Sequence, residues 1–204
     1  MAIHKIIIQG GGLHARVVLD CLLALGHNVV AFCDPNTNGK LYGVIGQKEY
    51  DPLYEPEAYA VVAIGDNSIR KNVVETTRHS FINVVHPSVI FSAFATIGLG
   101  NMILPGAIVQ AQAKIGNHVI VNTGSQVNHD CILGDFVHLA QGAILCGNVE
   151  VGEGSCIGAG ATVMRGKKIG KWAVIGEGSV VVDDVPDFTL VDGNPARAIK
   201  NLQL

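Results

Sequence analysis

The chain has 204 residues, 49% of them hydrophobic and 15% charged, and a net charge of −3. That balance argues against nucleic acid or an anionic membrane as the main partner, because both select an excess of Lys and Arg. No apolar run approaches the roughly 20 residues of a membrane span, and five scattered cysteines without a CxxC pair fit a reduced cytoplasm better than a disulfide framework.

The opening MAIHKIIIQGGG has a short apolar run, lacks a small-residue cleavage site and runs straight into glycines. It reads as a strand and not a signal peptide. LHARVVLDCLLALG then predicts an amphipathic helix that stops at Gly26, and NVVAFCD and AYAVVAIG predict two further strands. NSIRKNVVETTRHS predicts a second helix with Asn67 as its N-cap, and FINVVH a fourth strand. Strands alternating with helices predict a parallel sheet with helices on its faces, a Rossmann-like βαβ domain over residues 1–84. Gly10-x-Gly12-x-x-Ala15 matches the dinucleotide fingerprint loosely, and Asp34 ends the second strand where a ribose-binding acid would stand. The 84 residues before the next region hold only one mononucleotide half, so one nucleotide is the expected ligand. Free amides at the start of the first helix suit a phosphate. A glycine turn with no ligand is the alternative.

From residue 85 to 204 the helices stop and a period of six takes over. Stepping by six from Val85 to Val181 meets seventeen positions, all large and apolar. Four residues after most of them comes a smaller one, such as Ala107, Ala113, Ser125, Ala143 or Ser155. A nested period of eighteen shows in Ile97-Gly98, Ile115-Gly116, Leu133-Gly134, Val151-Gly152 and Ile169-Gly170. One hexad builds one flat side of a triangular coil, three make a turn, and stacked turns bury the aliphatic rows. The fold class is therefore α/β + β, a nucleotide-binding domain followed by a parallel β-helix of hexapeptide repeats.

In this register His129, in VNHDC, is an outward corner residue with Asp130 beside it. Eighteen residues on comes Gly147, which the register places one coil away, about 4.8 Å along the stack. A glycine there leaves open space and a bare amide beside the imidazole, suited to a developing oxyanion. Cys131 is a fifth-position residue and points into the core, so it is a poor nucleophile. His138 lies on a flat side, nine residues and half a turn from His129. The two histidines meet only if two chains do, which predicts a homotrimer with sites at subunit interfaces. His118 reads as a solvent-facing corner residue, His86 as structural, and His4, His27 and His79 as edge residues without a constellation.

Four segments carry a resemblance: GGGLHARVV, AIGDNSIR, the core NTGSQVNHDCILGDFVHLAQGAILCGNVEVGEGSCIGAGA and the closing DGNPARAIK. Together they resemble the sugar O- and N-acetyltransferases that include sialic acid O-acetyltransferase and, more closely, the bacillosamine-type UDP-4-amino-sugar N-acetyltransferases. The resemblance implies a left-handed coil, with His129 as general base next to Asp130. It puts His138 near the acetyl-CoA thioester and the Gly147 amide on its carbonyl. It places Gly10, Gly11, Gly12 and His14 on a diphosphate or sugar, and Asp34, Gly65, Asn67 and Arg70 near the nucleoside. Asn122, one hexad before the His129 corner, is a candidate sugar contact. Arg165, Lys167 and Lys168 are candidates for the coenzyme A phosphates, with a plain surface cluster as the alternative. The sequence has Asp130 where those enzymes carry Glu and Asn128 where they tend to carry another acid, which bears on the sugar more than on the reaction.

The expected activity is acetyl-CoA-dependent N-acetylation of the 4-amino group of a UDP-linked amino-deoxy sugar, in the cytoplasm. O-acetylation of a sialic or related sugar is the alternative. A zinc hydratase on this coil needs three histidines with two close in sequence, and His118, His129 and His138 have no close pair, so no metal is expected. A non-catalytic nucleotide-sugar sensor is the third class.

Overall fold

A computed structural model describes residues 2–37 and 39–202. β1 (Lys5–Gln9), α1 (Leu13–Ala24) and β2 (Asn28–Cys33) form a parallel βαβ unit. A hairpin follows, β3 (Lys40–Leu41) and β4 (Val44–Gln47), then β5 (Tyr59–Val62) and α2 (Asn67–Thr76). The sheet order is β3-β4-β2-β1-β5, and every pair except the hairpin is parallel. Ile6, Ile7 and Ile8 of β1 are all buried, because a central parallel strand is covered on both faces. α1 packs Ala15, Val18, Leu19 and Leu22 onto the sheet and stops at Gly26 as predicted. Gly26 takes φ +76°, its N–H donates to the Leu23 carbonyl, and the His27 N–H donates to that of Leu22. This is a Schellman closure, which needs a residue at ease with positive φ.

Three local expectations change. The α2 cap is Asp66, one residue before the predicted Asn67, and its carboxylate accepts from the Ile69 N–H at 2.9 Å. The β3–β4 hairpin is not predicted; its turn holds Tyr42 and Gly43 at positive φ, the conformation of a two-residue hairpin loop. FINVVH is not a strand of the first sheet. Phe81 makes a single bridge to Ala60, while Val84–Val85 already pairs with Met102–Ile103. Asn83 draws the chain away, donating to the Gly98 carbonyl and accepting from the Asn101 N–H.

Seventeen two-residue strands run from Val84–Val85 to Val180–Val181, one per hexad, and the second residue of each is the large apolar one that the six-residue step selects. From Val84–Val85 to Thr162–Val163 each pairs in parallel eighteen residues on, as Val109 does with Val127 and Val127 with Leu145. Ile103, Val121, Leu139 and Ile157 are fully buried with the small Ala107, Ala143, Ser125 and Ser155 between them. The two serines donate to the Asn122 and Gly170 carbonyls, so the core holds no orphaned hydroxyl there.

In a two-residue strand the first side chain faces outward. That gives three rows. One side carries Val84, Met102, Ile120, His138, Cys156 and Val174. The second carries Ile90, Ile108, Gln126, Ile144, Thr162 and Val180. The third carries Thr96, Lys114, Ile132, Glu150 and Lys168. Val84, Met102 and Ile120 share one core with Ile6, Leu19 and Leu22, so the parallel-sheet domain sits on the first side of the prism.

His118 departs from its predicted solvent-facing corner. It is 7% exposed, edge-on to Phe81 at 4.5 Å and stacked on Phe136 at 5.3 Å. Burial, and after it the Arg70 charge, push its pKa from 6.5 down to about 4. The same two causes, in that order, bring His14 and His138 to about 4. An unfolded chain binds these protons near 6.5 and the folded one only near 4. Stability is therefore complete above about pH 6.5 and declines as pH falls toward 4. Melting temperatures are expected to drop across that window. In His118→Phe, which keeps the stack, the drop is expected to be shallower by about a third; an identical slope would count against a buried neutral His118.

Candidate active site

The His129 corner is set by backbone geometry. Asp130 takes φ +61°, and Gln112, Asn148 and Gly166, stacked with it at intervals of eighteen, also have positive φ. Asn, Asp and Gly tolerate that conformation best. In this turn the Asp130 Oδ2 lies 2.7 Å from His129 Nδ1, and both side chains are about half exposed. The carboxylate takes the Nδ1 proton as its partner, so Nε2 carries the free lone pair. Gly147 stacks beside that edge: a Cβ on it would lie 2.6 Å from both Cε1 and Nε2 of His129. The Gly147 N–H has no acceptor among the described residues, while the Asn148 N–H donates to the His129 carbonyl and holds the two coils in register. Arg165 follows Gly147 by eighteen residues in the same column. Lys167 flanks it, but Lys168 is on the third side and pairs with Glu150 at 3.2 Å. Cys131 is buried, its Sγ 3.1 Å from the Cys146 carbonyl.

A second concavity opens over the ends of β1, β2 and β5, where open α/β sheets hold ligands. It is a cleft of about 570 Å³ lined by Gly10, Gly12, His14, Asp34 and Gly65 of the predicted set, with Leu13, Pro35, Asn36, Ile69 and Val73. Gly11 is not among the lining residues. A Cβ there would strike the Phe32 ring at 2.8 Å, and the Gly11 N–H instead donates to Asp34 Oδ2 at 2.7 Å. Asp34 Oδ1 accepts from the Asn36 N–H, so this carboxylate pins two loops and keeps its remaining lone pairs for a ligand. Gly12 caps α1 without a side chain, which leaves first-turn amides open to an anion. His14 is neutral, and its Nε2 is buried without a partner.

Asn67 and Arg70, predicted beside the nucleoside, are turned instead into the seam between the domains. Arg70 is fully buried, and all five of its N–H groups are taken. Nε donates to the His118 carbonyl, Nη1 to those of Ile64 and Gly65, and Nη2 to Asn67 Oδ1 and the Phe136 carbonyl. Asn67 Nδ2 donates to the Gly154 and Ser155 carbonyls. The physical reason is helical spacing: Ile69 and Val73 point one face of α2 at the cleft, while Asn67 and Arg70 point another at the coil. Lys71 joins them, 2.7 Å from Glu153 and over the Phe136 and Trp172 rings. His138 lies beneath this seam and not on an open side, with Nδ1 3.1 Å from the Gly65 carbonyl and Nε2 3.1 Å from Asn122 Nδ2. Asn122 therefore belongs with His138, not with the His129 corner. The His14 ring stands 6.3 Å from that of His138.

Family comparison divides the chain in the same way. A model of the PglD N-terminal domain matches residues 5–77, and one of bacterial transferase hexapeptides (six repeats) matches residues 130–165. A histidine variant of GDP-perosamine N-acetyltransferase from Caulobacter crescentus, solved with CoA and GDP-perosamine, is 38% identical over 98% of this chain and 99% of that one, with a TM-score of 0.93. The chain belongs to the bacillosamine-type hexapeptide sugar acetyltransferases. The acetyltransferase domain of PglB from Neisseria gonorrhoeae, solved with acetyl coenzyme A, is 36% identical over 97% of this chain and 100% of that one, TM-score 0.90. WeeI from Acinetobacter baumannii is 27% identical over 96% and 99%, TM-score 0.87. No match was found among curated proteins. The coil is thus the β-helix of an acetyl-CoA-dependent sugar acetyltransferase. Among the described residues, no three His, Cys, Asp or Glu side chains are grouped to hold a metal, and no helix is long and apolar enough to cross a membrane.

Proposed function

We propose that the chain acetylates the 4-amino group of a nucleotide-activated amino-deoxy sugar by direct attack on acetyl-CoA, with His129 as general base. The observation that carries this reading is the fixed imidazole, Nδ1 on Asp130 and Nε2 beside the bare Gly147 amide. The amine nitrogen bonds to the thioester carbon as its proton passes to Nε2. The Gly147 N–H meets the oxyanion of the tetrahedral intermediate. The C–S bond then breaks, and the proton on Nε2 goes to the departing thiolate. The nucleotide lies in the cleft, its diphosphate toward the α1 amides and its ribose toward Asp34. Arg165 and Lys167 are offered to the phosphates of coenzyme A.

The resemblance favours UDP. A GDP-linked sugar is the second reading, supported by the Caulobacter relative's complex with GDP-perosamine. Coenzyme A release from acetyl-CoA against UDP-, GDP- and dTDP-linked 4-amino-4,6-dideoxy sugars tests both, with sialic acids as the O-acetylation arm. Turnover on sialic acids alone would overturn the reading.

We also propose a homotrimer. The cleft, His138 and Asn122 lie on the first side, while His129 and Gly147 occupy the corner between the second and third, so one chain separates base from acceptor. The second side bears Ile90, Ile108, Ile144 and Val180, with Gln126 and Thr162 between them, and no element among the described residues covers it; Ile90 is 66% exposed. Such a row marks a protein contact. Light scattering is expected to give three copies of the 21.4 kDa chain. Ile108→Glu with Ile144→Glu is expected to give a folded monomer with little activity; a wild-type monomer would sink the idea.

A further inference from the structure

We propose that Arg70 is a positioning residue for the transfer reaction: through the Gly65 carbonyl it fixes His138 as a neutral, Nδ1-protonated imidazole whose Nε2 accepts from Asn122, so His138 supplies no proton to the chemistry. The inference rests on the proposed function only in taking the seam around His138 and Asn122 to border the reacting groups.

The hydrogen bonds leave a single assignment. Asn122 Oδ1 accepts the Thr123 N–H at 2.8 Å, so the atom it turns toward His138 is the Nδ2 donor. The facing Nε2 must therefore accept. On the other side of the ring the Gly65 carbonyl, 3.1 Å away, can only accept, so Nδ1 must donate. A proton added at Nε2 would set N–H against N–H. The ring is locked in one tautomer by its two neighbours.

Arg70 sets the position of one of them. Its Nη1 reaches the Ile64 and Gly65 carbonyls at 2.9 and 3.2 Å, while Nε and Nη2 hold the His118 and Phe136 carbonyls of two successive coils. The turn between β5 and α2 is thereby fixed to the coil, and the Gly65 carbonyl is fixed over His138. The same turn lines the nucleotide cleft, so cleft and histidine share one rigid support.

Charge acts in the same direction. The groups around His138 are His14 from α1, Arg70 from α2, and Asn122 and Cys156 from the adjoining coils, with Asp66 of the α2 cap near Arg70 and Cys156. Asp66 is engaged by the Ile69 N–H and the Ser68 hydroxyl. Burial first, then the Arg70 charge, then His14 bring His138 to about 4, against an opposing effect of its Gly65 bond. A buried guanidinium with only carbonyl and amide partners is a fixed cation that disfavours a second one beside it.

The test is imidazole nitrogen NMR on the wild-type protein, with His138 assigned through His138→Gln. The expected result is an Nδ1–H neutral ring from about pH 5 to 8. An Nε2–H tautomer, or an imidazolium near neutral pH, would overturn the proposal. In Arg70→Met the His138 titration midpoint is expected to rise by about one unit or more, with kcat reduced tens-fold by misplacement. In Arg70→Lys the charge remains without the fork, so the midpoint is expected to stay low while kcat remains reduced. A folded Arg70→Met protein whose ring keeps its tautomer and midpoint would equally overturn it. If that variant does not fold, the wild-type tautomer decides. The NMR reading does not depend on turnover, so failure of His129 as base cannot be mistaken for failure here.

Discussion

Replacing His129 by alanine is expected to lower kcat by about 10² to 10⁴, the range a positioned general base contributes, while leaving the fold and the KM for acetyl-CoA nearly unchanged. The imidazole is a half-exposed corner side chain, so its removal opens no cavity in the aliphatic core. The backbone bond that keeps the corner in register, from the Asn148 N–H to the residue 129 carbonyl, does not involve the side chain. The companion change Asp130→Asn is expected to cost about tenfold, by analogy with other groups that orient a functional histidine. Asn tolerates the left-handed backbone of residue 130, so the turn survives, but its amide no longer selects the Nδ1–H tautomer. Single-turnover rates with a 4-amino nucleotide sugar measure both. A His129→Ala enzyme within threefold of wild type would remove the imidazole from the reaction.

The coil was legible because its signal is periodic. Each two-residue strand ends on the large apolar residue that a step of six selects, and the register that makes this so also puts Gly147 against the His129 ring. The α1 stop at Gly26 was legible for a local reason, the positive φ of its closure. The seam was not. Arg70 is charged, and a charged helix residue reads as solvated because buried arginine without a carboxylate is rare. Its partners are carbonyls of corners 48 and 66 residues away, which leave no mark in composition or spacing. His118 looked like any other corner until Phe81, a residue outside the repeat, closed over it. Asn122 and His138 are sixteen residues apart, two short of a coil turn, so stepping by eighteen misses their contact. An i, i+3 Asn-Arg pair at the start of α2 was the one sequence signal available, and it shows only once the helix is known to face the coil.

Gly147→Ala separates the space above the histidine from the stability of the coil. Gly147 does not adopt positive φ, so alanine suits its backbone. The added Cβ would lie 2.6 Å from His129 Cε1 and Nε2 and 3.2 Å from Nδ1. Those atoms belong to an exposed ring at the end of its side chain, so the ring swings away and the coil does not. The expected result is a melting temperature within a few degrees of wild type and a kcat loss of about 10² or more, since the base leaves its alignment with Asp130 and the methyl occupies the approach to the Gly147 N–H. Gly142→Ala is the opposite control. Its φ is +66° with nothing within 4 Å of a new Cβ, so only backbone strain of about 1 kcal/mol is expected, with kcat unchanged. One variant keeps stability and loses rate, and the other loses stability and keeps rate. Combining Gly147→Ala with His129→Ala is expected to cost little more than either alone, because both remove the same aligned unit. Fully additive losses would mean that the glycine and the histidine act at separate points in the reaction, and wild-type rates in Gly147→Ala would move the oxyanion contact to another amide.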